Sequence, residues 1–237
     1  MSKGSGMIHP NMATMLGVLV TDARLTPAAA QQALRLAADA SFNRISVDGD
    51  TSTNDTVALL ANGMAGGPHI ETETPGFDAF VRALTDVSIT LAQAIVRDGE
   101  GATKFVTVQV SGLADDAAAH RVAEAIATSP LVKTAIYGGD ANWGRILAAA
   151  GYSGADFDPD AAELWITGGA HADAYLPSLH IVSKGMPLDY DEAASSERFA
   201  QPELLIDLRL GDGPGQDVMW TCDLSHEYVT INGEYRT

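Results

Sequence analysis

Apolar residues along the chain follow two rhythms, one of period two and one close to 3.6. The run 16–20, Leu-Gly-Val-Leu-Val, reads as a buried strand closed by Thr21 and Asp22. Thr26-Pro27 offers an N-cap and a proline at the first helical position. The Ala-rich stretch that follows predicts a helix to about residue 42, with Ala30, Leu34, Ala37 and Ser41 on one face. Residues 45–47 predict a short strand, 48–56 a polar turn region, and 56–61 a second buried strand or a helix start. The clearest helix spans 77–96, where Phe77, Phe80, Val81, Leu84, Val87, Leu91 and Ile95 recur at helical spacing. Asp98-Gly-Glu-Gly101 stops it. Residues 105–111 alternate, with Val106, Val108 and Val110 on one side, as in a half-buried strand. A helix over 116–128 follows, then strands at 164–166, 179–182, 204–210 and 218–222. Asp212-Gly-Pro-Gly215 reads as a hairpin turn between the last two. Long helices between strands predict sheet covered by helices. No firm internal boundary emerges, and 190–201 is the most linker-like segment.

Composition narrows the function classes. A hydrophobic share of 46 % and a mean hydropathy of +0.03 allow a packed core in 237 residues. No apolar run approaches the ~18 residues of a membrane span. No basic stretch leads into an apolar one, so no secretory signal is expected. Acidic residues outnumber basic ones 31 to 14, and the formal charge of −17 opposes nucleic acid as a partner. The single cysteine, Cys222, excludes an internal disulfide and a cysteine-built zinc site. These features together predict a protein of the reducing cytosol.

Five places could carry chemistry. In the first, Lys3-Gly-Ser-Gly-Met-Ile-His-Pro-Asn-Met-Ala-Thr-Met-Leu16, a Gly- and Pro-containing loop enters an apolar strand with Thr14 at the junction. By residue type alone, a Thr there serves β-propensity. The second, Asp48-Gly-Asp-Thr-Ser-Thr-Asn-Asp-Thr56, has the acids and hydroxyls of a calcium loop but lacks its closing Glu, so a structural turn is the better reading. In the third, 98–104, Glu100 lies between two glycines, either as an exposed helix terminus or as a carboxylate facing a ligand. The fourth, 129–145, contains Asn142, Trp143 and Arg145, which either staple two layers or form a loop beside a site. In the fifth, 223–237, Asp223, Ser225 and His226 hold the residue types of a triad. Triads, however, are assembled in space rather than from neighbours in sequence. Cys222 with His226 fails as a thiol pair for the same reason. Nothing resembles a phosphate loop or a dinucleotide fingerprint.

These five segments, in this order, resemble the ornithine acetyltransferase (glutamate N-acetyltransferase) family, specifically its downstream, or beta, chain. The first is similar to that family's self-cleavage segment, 48–56 to its Asp-Gly-x-x-Ser-Thr-Asn-Asp-Thr, and 100–104 to its Glu-Gly-x-Thr-Lys. Residues 129–145 and 232–237 are similar to its Ser-x-Leu-Val-Lys-Thr-Ala…Asn-Trp-Gly-Arg and Asn-x-x-Tyr-x-Thr stretches. The resemblance implies an α/β layered sandwich of two facing sheets between helices, of the self-processing N-terminal-nucleophile type. It implies cleavage between Ala13 and Thr14, with Thr14 as nucleophile and its freed amino group as base. Lys3, Glu100, Asn232 and Thr237 then hold substrate. The reaction is acetyl transfer from N-acetylornithine to glutamate in arginine biosynthesis, with no metal and no cofactor. Residues 1–13 become the end of an upstream alpha chain and 14–237 the beta chain of a heterotetramer of two alpha and two beta chains. The oxyanion-hole Thr-Gly pair lies upstream, so the site is not complete in this chain alone. A self-processing hydrolase or aminopeptidase of the same superfamily, or an inactive fragment that only binds a partner chain, are the alternatives.

Overall fold

The computed structural model describes residues 1–9, 15–171 and 174–234. Contacts divide the chain into two compact units, Met1–Gly99 and Glu100–Thr237, a boundary that the sequence does not announce.

The first unit holds the strands β1 (Ser2–Lys3) and β2 (Leu16–Thr21), the helix α1 (Pro27–Asp39), the strands β3 (Ile45–Ser46) and β4 (Thr56–Ala61), and the helix α2 (Pro75–Arg97). β2 runs parallel to β4 with Leu16 opposite Thr56, and β1 lies antiparallel on its other side with Lys3 opposite Leu16. Residues 56–61 are therefore a strand. Thr26 caps α1, its hydroxyl accepting the Ala29 N–H at 3.3 Å. Thr74 caps α2 in the same way through the Phe77 N–H at 3.2 Å. The core joins Leu19 of β2 to Ala29, Ala33 and Ala37 of α1 and to Phe77 and Leu84 of α2. The predicted face of α1 is thus turned by one position for its first residues, because an Ala-rich helix carries little periodic signal. Among the described helices, α2 is long and apolar enough to cross a membrane by length and composition, and its Phe77, Leu84, Ala92, Ile95 and Val96 are buried in the protein.

The second unit holds β5 (Phe105–Gly112), α3 (Asp116–Thr128), α4 (Pro130–Tyr137), α5 (Trp143–Gly151), β6 (Glu163–Gly169), β7 (Leu179–Ser183), β8 (Met186–Pro187), α6 (Glu192–Phe199), β9 (Glu203–Arg209), β10 (Gly213–Cys222) and α7 (His226–Glu234). Its strands lie in the order β10-β5-β9-β6-β7-β8. Alternation in β5 places Val106, Val108 and Val110 in the core with Val122 and Ile126 of α3, Ile166 of β6, Leu204, Ile206 and Leu208 of β9, and Met219 of β10.

Two expectations change here. The segment 190–201 is not a linker. Asp191 caps α6 through the Ala193 N–H, and Arg198 and Phe199 are buried, with the Arg198 guanidinium donating to the Pro177 carbonyl. Nor is 212–215 a hairpin turn. β9 and β10 are not partners, because β5 lies between them, antiparallel to β10 and parallel to β9. The connection passes over the end of β5 so closely that a Cβ on Gly112 would sit 2.3 Å from the Gly211 carbonyl oxygen, and one on Gly213 2.0 Å from that of Leu113.

Gly112 also has φ +87°, in the region that favours glycine. Gly112→Ala is therefore expected to destabilise the protein by more than ~1 kcal/mol, read as a lower urea midpoint. An unchanged midpoint would mean that the crossing is looser than described.

Candidate active site

In the second unit the chain builds a turn around Glu100. The Asn232 side-chain amide donates to a Glu100 carboxylate oxygen at 3.0 Å, and also to the Tyr228 carbonyl within its own helix at 3.0 Å. Two of the predicted substrate-holding residues, 132 positions apart, thus meet. Glu100 is half-buried and Asn232 exposed, so the pair is open to a ligand. A carboxylate beside an amide suits the ammonium group of an amino acid.

The segment before α7 fixes this turn. Asp223, only 3 % exposed, accepts the Thr103 N–H at 2.8 Å, the Lys104 N–H at 2.9 Å and the Thr103 hydroxyl. Ser225 donates to the Gly101 carbonyl at 2.6 Å. Gly101 has φ +67°, and a Cβ there would lie 2.5 Å from the Tyr228 nitrogen, so only glycine lets α7 pass this close. On its other side the segment is held by the buried Lys133, whose ammonium donates to the Thr221 hydroxyl at 2.9 Å and to the Cys222 carbonyl. Asp223, Ser225 and His226 therefore form no triad: the first two anchor the Glu100 turn, and exposed His226 meets the edge of the Tyr137 ring. Cys222 is buried beside Lys133, not paired with His226. Asn142 caps α5 through the Arg145 N–H, Trp143 packs on the core, and Arg145 donates to the Leu131 carbonyl at 2.8 Å. These contacts tie α5 to α4 and to the core, as the stapling reading expects.

The first unit carries Lys3 and the residues flanking Thr14. Lys3 is exposed on β1, paired opposite Leu16 of β2. Ala13, Thr14 and Thr237 lie outside the described residues. Before and after Thr14 in sequence, backbone N–H groups are taken by carboxylates of the 48–56 loop. Asp48 accepts from Met7 and Ile8, and Asp55 accepts from Met15 at 2.6 Å. Burial pushes the Asp55 carboxyl above its ordinary range, with the Met15 N–H acting in the opposite direction. Two of the three acids that resemble a calcium loop, Asp48 and Asp55, thus accept backbone N–H groups, and among the described residues no group of His, Cys, Asp or Glu is arranged to hold a metal ion. The anchoring roles of Asp48, Asp55, Asp223 and Ser225 escape sequence reading. Their only signal is a cluster of short polar side chains outside regular elements, the usual setting for capping backbone groups.

Comparison with known proteins identifies the family. Residues 1–237 match the family model described as the ArgJ family. The mitochondrial arginine biosynthesis bifunctional protein ArgJ of Chaetomium globosum is 54 % identical over all of this chain and 52 % of its own length. The protein of the same name from Yarrowia lipolytica is 51 % identical over all of this chain and 54 % of its own length. The chain spans about half the length of the curated relatives it matches. A crystal structure of arginine biosynthesis bifunctional protein ArgJ from Bacillus halodurans superposes with a TM-score of 0.85 at 39 % identity, covering 94 % of this chain and all of that one. The expected class, two sheets flanked by helices, stands on this match. The expected cytosolic location does not: the fungal relatives are named as mitochondrial, and composition and charge carry no address that could have shown it.

Removing the Asp223 carboxylate leaves the Thr103 and Lys104 amides without their buried acceptor. Asp223→Ala is expected to cost about 1–3 kcal/mol and to speed hydrogen exchange at those two amides while β6 amides keep their protection. Uniform loss of protection across the unit would mean that Asp223 supports the whole unit rather than the Glu100 turn.

Proposed function

Because the chain belongs to the ArgJ family, we propose that it is the nucleophile-bearing half of an enzyme that moves an acetyl group from N-acetylornithine to glutamate. The match across residues 1–237 carries this reading, since it includes the segment with Thr14, the Glu100 turn and Asn232 together. The precursor breaks between Ala13 and Thr14. The Thr14 hydroxyl attacks the Ala13 carbonyl, the C–N bond breaks as the acyl group moves to oxygen, and water hydrolyses the ester. Thr14 is left with a free amino group, a base of pKa near ~8 beside its own hydroxyl.

Transfer then runs in two steps. Thr14 Oγ attacks the acetyl carbonyl of N-acetylornithine, the amide bond breaks, and ornithine leaves with the proton passed through the Thr14 amine. Glutamate's amine attacks the acetyl-threonine ester, giving N-acetylglutamate and regenerating the hydroxyl. Glu100 and Asn232 take the substrate's ammonium end, Lys3 suits its carboxylate, and Thr237 completes the set by family resemblance. A second donor, acetyl-CoA, is the further activity that the family resemblance leaves open to this enzyme. The mitochondrial naming of the fungal relatives supports that organelle as the compartment.

The remaining half of the enzyme is the upstream alpha chain, which brings the oxyanion donors, and the assembly is two alpha and two beta chains. One feature of the first unit supports an upstream partner. Leu16, Val18 and Val20 of β2 and Leu60 of β4 are all exposed on neighbouring strands. Apolar sheet surface of this kind marks an interaction face.

Thr14→Ala is expected to block cleavage in the precursor that includes the upstream half, and N-terminal sequencing of the wild-type product should begin at Thr14. A product that starts elsewhere would sink the assignment. Glu100→Gln should weaken use of N-acetylornithine by about 1.5–3 kcal/mol in kcat/KM, the worth of a charge-assisted bond, and leave self-cleavage nearly intact. Equal loss of both would make Glu100 a structural residue.

A further inference from the structure

We infer that the loop 46–56 clamps the self-cleavage segment at two points, with Asp48 and Asp55 as positioning residues for the chemistry at Thr14; the inference rests on the reading of Thr14 proposed above. The upstream point is made at Met7 and Ile8. Asp48 spans their two N–H groups, at 2.7 Å from Met7 and 3.0 Å from Ile8. The Val47 N–H and the Ser46 hydroxyl both donate to the Ile8 carbonyl, at 2.8 and 3.3 Å. Ile8 is buried, and Met7 is held at φ 55°, a left-handed conformation that a non-glycine residue keeps only where its surroundings impose it. The downstream point is made at Met15. Its N–H donates to Asp55 at 2.6 Å, its carbonyl accepts the Thr56 N–H at 3.0 Å, and its side chain is buried.

The two points differ in one respect. Met7 and Ile8 lie before the Ala13–Thr14 bond, whereas Met15 is bonded directly to Thr14. Asp48 therefore holds the side of the bond that becomes the end of the alpha chain, and Asp55 holds the residue next to the nucleophile before and after cleavage. Self-cleavage needs the Thr14 hydroxyl aligned on the preceding carbonyl, and anchors at Ile8 and Met15 serve that alignment. Acetyl transfer depends more directly on the downstream anchor, which adjoins the nucleophile. Lys3 has its own hold in the pairing with Leu16. The 2.6 Å bond at Met15 asks for an acceptor at one distance, so the length of the residue 55 side chain matters more than its charge.

The test uses the precursor that includes the upstream half, with Thr14→Ala as the uncleaved control. Self-cleavage is followed by intact mass, melting temperature is recorded, and matured protein is assayed for kcat and KM with N-acetylornithine. Asp55→Asn keeps the acceptor and its reach, and cleavage should stay within a few-fold of wild type. Asp55→Glu keeps the charge but shifts the acceptor by about 1 Å, and cleavage should slow by up to about 100-fold. In matured Asp55→Glu, kcat should fall with KM little changed. Asp48→Ala should slow cleavage and lower kcat less than Asp55→Glu does. A normal rate in Asp55→Glu, or a slow Asn variant beside a normal Glu one, overturns the clamp while the inert Thr14→Ala control upholds the nucleophile. Cleavage in that control overturns both.

Discussion

Carboxylates that accept backbone N–H groups hold the described irregular segments beside the proposed site. Asp223 ties 103–104 to the segment before α7, Asp48 ties Met7 and Ile8 to the following loop, and Asp55 ties Met15 to the start of β4. Such bonds are charge-assisted, and roughly twice as strong as neutral ones. They are also demanding, because a buried backbone donor that loses its acceptor costs about 1–3 kcal/mol. Segments that no helix or strand could fix are thereby given one conformation.

The regular elements were largely legible, for the reason that the anchors were not. Strict alternation in 105–111 and a helical apolar face over 116–128 are local patterns, and β5 and α3 follow them. The order of strands is not a local matter. Residues 204–210 and 218–222 read as neighbours because a glycine-rich turn lies between them, yet β5 takes the place between, and the close approaches at Gly112 and Gly213 reveal why glycines are needed. Pro130 and the cap at Asn142 begin α4 and α5, in a stretch that reads as a motif rather than as helix. The Asp223 contacts join residues 120 positions apart and leave no trace in spacing. Of the residues taken from family resemblance, Glu100 and Asn232 meet, Lys3 lies on the strand paired with β2, and Thr14 and Thr237 are outside the described residues.

The proposed chemistry fits this distribution of order. On the proposed reading Thr14 gains its own amino group as base only by losing its upstream neighbour, so the segment must be held well enough to break once and still present the new terminus afterwards. Anchors on either side of the break meet both needs. The exposed apolar positions of β2 and β4 accord with a chain that spans about half the length of its relatives.

The central claim is that Thr14 carries the acetyl group. Mature enzyme, assembled with its upstream chain, is mixed with N-acetylornithine in the absence of glutamate, quenched in acid, digested and analysed by mass spectrometry. One acetyl group is expected on the peptide that begins with Thr14, located on the side-chain oxygen and discharged when glutamate is added before the quench. Transfer that proceeds with Thr14 unmodified, or with the acetyl group on another residue, would contradict it.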